Sequence, residues 1–166
     1  MNLSNKLNSI LKEYSIGNKT SAYKKFKKIY LQNNKDMKLR YNLAVMQQEL
    51  GLLDEAEANY LSLIEYKDEL KFNINLYNLY VAKGLYLNAL KIIDSIKSKN
   101  FSLIKIDQDR AYILYLTKNY QDSINQCYKI LKDDEKNTHT LNTLGLCFLK
   151  SHNYDEANKT LLKAIS

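Results

Sequence analysis

Apolar residues recur along this chain at helical spacing, interrupted at regular intervals. The stretch YNLAVMQQELGLLDEA, residues 41–56, shows the unit. Leu43 and Ala44 belong to one apolar stripe that runs into Gly51, and Ala56, Tyr60 and Leu63 begin another after it. Residues three or four apart share one face of a helix, so the stretch predicts two amphipathic helices joined by a tight turn. The chain has no proline and four glycines, which favours helix throughout its 166 residues.

The interruptions are periodic. Gly17, Gly51 and Gly84 stand 34 and 33 residues apart, and an alanine follows each by five residues: Ala22, Ala56 and Ala89. Ser123 and Ala157 continue the step, and Leu53, Tyr86, Tyr120 and Tyr154 recur at one place ahead of it. A period near 34 marks helix-turn-helix repeats. The resulting copies are 3–36, 37–69, 70–103, 104–137 and 138–166. Where glycine is missing, Lys118-Asn119 and His152-Asn153 supply an asparagine as the expected left-handed residue.

Within each copy the pattern resembles the tetratricopeptide repeat. That family places a large residue at 4, Leu at 7, a small residue at 8, a bulky one at 11, Ala at 20, a bulky residue at 24 and a small or apolar one at 27. In the last copy Leu141, Leu144, Gly145, Phe148, Tyr154, Ala157, Leu161 and Ala164 fit. The second supplies Leu43, Ala44, Ala56, Tyr60 and Leu63, with Arg40 and Gln47 departing. The third has Leu76, Tyr80, Ala89, Ile93 and Ile96 but a bulky Tyr77, and the fourth has Ala111 and Leu114 but Arg110. The first is degenerate: Ala22, Phe26 and Ile29 fit, while Ser9 and Ile10 invert the usual order. The resemblance implies an all-α fold, an α-solenoid of about five stacked repeats in a right-handed superhelix, forming one array over 1–166. One helix pair cannot bury its apolar face alone, so stacking must supply the core.

Charge refines this picture. The net charge of +7 divides by copy as +6, −4, +4, 0 and +1. In AYKKFKKIY, Lys24, Lys25, Lys27 and Lys28 share one side of a helix, and Ala22, Tyr23, Phe26, Ile29 and Tyr30 share the other. This reads as a solvated outer face rather than a nucleic-acid surface, since there is little Arg and no nucleic-acid motif. Cys127 and Cys147 fall on apolar positions and read as buried free thiols in a reducing compartment. With no stretch long enough for a signal peptide or a membrane span, the expected location is cytoplasmic, without membrane insertion. In the last helix Ala157, Leu161, Ala164 and Ile165 share an apolar face with no capping helix after it, which predicts self-association or cover by a partner.

Candidate chemistry is sparse. His139 and His152 are the only histidines, and no pair of metal-ligand spacing or phosphate loop is present, so the chain reads as a non-enzyme without cofactor or metal. The resemblance implies that places 2, 5, 6, 9, 12 and 13 of the first helices face a concave groove. Place 6 holds Asn8, Asn42, Asn75, Asp109 and Thr143. Three successive carboxamides can both donate to and accept from the backbone of an extended peptide. They are similar to the asparagine ladder in the repeat domain of O-linked N-acetylglucosamine transferases, without that enzyme's catalytic domain. Tyr41, Asn78, Lys105, Tyr112, His139 and Asn142 are expected around them, with Tyr115, Val45, Ile74, Val81, Leu116 and Leu146. The carboxylate clamp of chaperone-binding members is not met, because its five places hold Tyr41, Val45, Asn75, Lys105 and Asp109. The expected function is a scaffold or adaptor that binds a peptide or protein segment in its groove. The alternative is a targeting domain serving a glycosyl- or sulfotransferase on another chain or segment.

Overall fold

The computed structural model describes residues 2–99 and 104–165; the end of the third copy, 100–103, lies outside them. Ten helices and no strand occur among the described residues. They fall into two compact units, 1–83 and 84–166. The first holds α1 (Leu3–Ser15), α2 (Lys19–Gln32), α3 (Met37–Glu49), α4 (Leu53–Tyr66) and α5 (Leu70–Ala82). The second holds α6 (Tyr86–Ser98), α7 (Ile104–Leu116), α8 (Tyr120–Asp133), α9 (Thr138–Lys150) and α10 (Tyr154–Ile165). Within each unit consecutive helices pack together, and in the second α7 also packs on α9.

Side-chain caps mark the starts of α1, α3 and α9. Asp36 accepts from the backbone N–H groups of Lys38 (2.8 Å) and Leu39 (3.1 Å), and Asn137 accepts from that of Thr140 (3.0 Å). Each satisfies donors that the first turn leaves free. Helices α1, α3, α7 and α9 end in one geometry. Leu52 N–H donates to Gln47 O (2.9 Å) and Gly51 N–H to Gln48 O (3.1 Å), the paired bonds of a Schellman turn. The same pair closes α7 through Asn119 and Lys118, and α9 through Asn153 and His152. The turn requires a positive φ, supplied by Gly51 at 77°, by Lys118 at 64° and by His152 at 59°. This corrects the expectation that asparagine would take the left-handed position. The register puts Lys118 and His152 there, and Asn119 stays at φ −82° as the next helix begins.

The small residues account for close packing. Ala22, Ala44, Ala56, Ala89, Ala111, Ser123 and Ala157 are all buried. In the first unit Ile10, Ala22, Tyr23, Phe26, Leu39, Leu43 and Met46 form one cluster. In the second, Ala111, Ile124, Cys127, Leu144, Cys147, Phe148 and Ala157 form another. Full burial of a side chain the size of Leu or Phe stabilises by about 1.5–3 kcal/mol, so these clusters outweigh the exposed ion pairs, worth about 0–1 kcal/mol each. At Gly145 the approach is close, because a Cβ there would lie 2.5 Å from Leu161 Cδ2. Ser123, where the other copies have alanine, donates its hydroxyl to Ala111 O (2.7 Å) and accepts from Cys147 Sγ (3.1 Å).

Three residues that depart from the repeat pattern, Gln47, Arg40 and Arg110, are polar links. Buried Gln47 donates to Tyr23 Oη (3.4 Å) and accepts from Asn59 Nδ2 (2.8 Å). Arg40 reaches Tyr30 Oη (3.0 Å), Asn34 O (3.1 Å) and Ser62 Oγ. Arg110 pairs with Asp94 at 3.0 Å. Each joins neighbouring helices of its own unit.

Candidate functional site

In the first unit, α3 and α5 carry the asparagine positions beside aromatic residues. Tyr41 on α3 packs against Phe72 on α5 at 5.5 Å between ring centres, and against Tyr60 on α4 at 6.5 Å. Asn75 donates its Nδ2–H to Tyr41 Oη at 2.9 Å, which holds the phenol in place. Tyr41 and Asn42 then line a hollow of 420 Å³ with Met37, Lys38, Lys67, Glu69, Lys71 and Phe72. Lys71 Nζ lies 5.6 Å from the centre of the Tyr41 ring and 4.9 Å from that of Phe72, within cation–π range. Glu69 accepts from Lys67 (3.0 Å) and Lys71 (2.7 Å), and these bonds, Lys71's first, hold its carboxyl below the usual range.

Asn42 is half-buried on the wall of this hollow and makes no side-chain hydrogen bond among the described residues. Asn8 on α1 and Asn78 on α5 are exposed, and no hydrogen bond ties either to Asn42 or Asn75 among those residues. The structure therefore joins Tyr41, Asn42 and Asn75 into one local arrangement and leaves Asn8 and Asn78 outside it. Lys38, Lys67, Glu69, Lys71 and Phe72 were not singled out from the sequence. A signal existed for two of them: Lys38 and Lys71 occupy place 2 of consecutive copies, the series that also contains Lys105.

The second unit has its own first-helix surface. Tyr112 stacks on Tyr115 at 5.9 Å and lies 6.4 Å from His139, while Tyr115 meets Tyr120 at 6.0 Å. Tyr112, His139, Lys105 and Asn142 are exposed. Thr143, at place 6, turns its hydroxyl onto His139 O (3.1 Å) and is buried, so it offers no rung.

Other sequence features resolve more simply. Lys24, Lys25, Lys27 and Lys28 are exposed on α2 while Ala22, Tyr23 and Phe26 are buried. Lys25 pairs with Glu13 at 2.7 Å, and Lys27 lies over Tyr23 at 5.7 Å. On α10 the expected apolar face is largely used: Ala157 is buried and Leu161 packs at Gly145. Tyr154, Leu162 and Ile165 are its exposed large apolar residues, Ile165 at 82%. Cys127 and Cys147 are free and buried, and burial pushes the Cys127 thiol up to about 12 and raises Cys147 too. No helix among the described residues is long and apolar enough to cross a membrane.

No protein-family model matches the chain. A TPR repeat-containing protein of Methanocaldococcus jannaschii is 25% identical over 167 residues, covering 92% of this chain and 29% of that protein. The chain has the fold of tetratricopeptide repeat proteins. Among solved structures, a tetratricopeptide repeat protein from Parabacteroides merdae superposes with a TM-score of 0.86 at 20% identity, over 98% of this chain and 65% of that one. MamA from Desulfovibrio magneticus RS-1, from residue 41 onward, gives 0.81 at 12% identity, over 95% and 90%. At such identities the likeness is one of fold. The tetratricopeptide frame explains why Asn42 and Asn75, at place 6, and Lys38 and Lys71, at place 2, lie on the first helices of consecutive repeats.

Proposed function

We propose that this chain is a protein-interaction module, acting by binding rather than catalysis, and that the first-helix surface of residues 1–83 holds an extended segment of a protein partner. The observation that carries the reading is the hollow of α3 and α5. Its wall presents a half-buried, uncommitted carboxamide, Asn42, beside a phenol fixed by Asn75 and the ring of Phe72. A carboxamide pairs with a peptide backbone in either direction, and the rings supply apolar contact of the kind that anchors interfaces. The aromatic surface of Tyr112, Tyr115 and His139 in residues 84–166 suits a second contact of the same type. Two buried, free thiols accord with a reducing, cytoplasmic setting.

The experiment is calorimetric titration with peptides selected from a random 12-residue library on the full chain. Asn42→Ala is expected to weaken binding about tenfold, since loss of a buried polar contact costs about 1–3 kcal/mol. Asn75→Ala should act through a loosened Tyr41. Equal affinities for both variants and the wild type would remove the reading.

A further inference from the structure

We propose that the hollow of α3 and α5 receives an acidic side chain of the bound segment, and that Glu69 occupies that carboxylate's place while the hollow is empty. This rests on the reading that residues 1–83 hold a partner segment. Three ammonium groups, Lys38, Lys67 and Lys71, line the hollow against one carboxylate. That carboxylate spends one oxygen on each of two lysines, Oε1 on Lys67 and Oε2 on Lys71. Lys38 has no carboxylate partner among the described residues. The acids nearest in sequence are committed elsewhere: Asp36 caps α3, and Asp68 accepts from Asn73 at 2.5 Å.

The geometry of Glu69 shows what the lysines favour, a carboxylate shared between ammonium groups beside aromatic rings. A partner's Asp or Glu can pair with Lys38 and compete with Glu69 for Lys71. Its aliphatic stem then meets Tyr41 and Phe72, and its backbone meets Asn42. The volume, 420 Å³, lies within the range of about 300–1,000 Å³ typical of small-ligand sites. A polyphosphate chain is the poorer fit, because residues 37–69 carry four more acids than bases, including Asp54, Glu55, Glu57 and Glu65 on or beside α4. A single carboxylate need not cross that field.

The test uses C-terminally amidated peptides selected on the full chain, so that only side-chain acids are read. Pairs that differ by one Glu→Gln exchange are compared by fluorescence anisotropy on wild type, Glu69→Gln, Lys71→Gln and Lys38→Gln, with folding checked by circular dichroism. The selected peptides should be rich in Asp and Glu, and the exchange should weaken wild-type binding at least fivefold. Glu69→Gln should tighten the acidic peptide at least threefold more than it tightens its Gln twin. Lys71→Gln and Lys38→Gln should each reduce the preference, as should added salt. Selection of neutral peptides whose binding still depends on Asn42 would overturn this proposal and leave the groove reading standing. Equal effects of Glu69→Gln on both peptides, or tighter binding of a single-stranded oligonucleotide than of acidic peptides, would also overturn it. Failure of every peptide to bind would remove both.

Discussion

Adding one methyl group at Gly145 should reveal how closely α9 and α10 approach. A Cβ there would meet Leu161 Cδ2 at 2.5 Å, Cγ at 2.6 Å and Cδ1 at 3.4 Å. Two contacts under 3 Å, one of them at the inner atom Cγ, require Leu161 or the helix to shift. Overpacking of this kind costs about 1–3 kcal/mol. Alanine in mid-helix returns about 1 kcal/mol relative to glycine. The net expectation for Gly145→Ala is destabilisation of about 1 kcal/mol, or a fall in Tm of about 2–4 °C for a chain of this size. The decisive arm is Leu161→Ala. In that background the obstacle is gone and only the helix-propensity gain remains, so Gly145→Ala should stabilise by about 1 kcal/mol. A double-mutant cycle by urea unfolding reads this reversal of sign. If Gly145→Ala stabilises the wild type as much as it stabilises the Leu161→Ala variant, the close-approach argument is wrong.

Three further outcomes follow from the same geometry. Lys118→Gly and His152→Gly should each stabilise by about 0.5–1 kcal/mol in urea, since relief of a left-handed L-residue, about 1–2 kcal/mol, exceeds the entropy cost of glycine; Gly51→Ala, with open space around its Cβ position, should destabilise for the converse reason. Cys127 and Cys147 should resist alkylation at pH 8 in the folded chain and react at once in urea, because burial raises both thiols; prompt modification of the native chain would contradict their packing. Glu13, Glu49 and Glu69 have lowered folded pKa values, each led by its lysine hydrogen bond, so their stabilisation is present above the unfolded value near 4.5 and is lost as pH falls through the folded one; urea midpoints should fall below about pH 4.5, less steeply in Glu49→Gln.

Much of the fold was legible because the repeat imposes its pattern on buried places. Ala22, Ala56, Ala89 and Ala157 are small for the reason the spacing suggested, and all are buried. The left-handed residues were misread at Lys118 and His152, since preference for asparagine yielded to the register that the surrounding helices fix. Arg40 and Gln47 depart from the pattern; their meaning lies in partners 6 to 24 residues away on neighbouring helices and turns, which no local reading supplies. The hollow was half legible. Tyr41 and Asn42 came from the repeat places, but Glu69 sits in an inter-helix loop and Phe72 at a place outside the groove series, so only three-dimensional contact brings them to Tyr41.

The central claim, that α3 and α5 hold the partner segment, is tested most directly by mapping amide chemical shifts of the isotopically labelled chain as a selected peptide is added. The account predicts the largest changes at Lys38, Tyr41, Asn42, Lys71 and Asn75, with Lys24 and Lys28 on α2 unmoved. Changes centred on α2, with Asn42 and Asn75 unmoved, would contradict it.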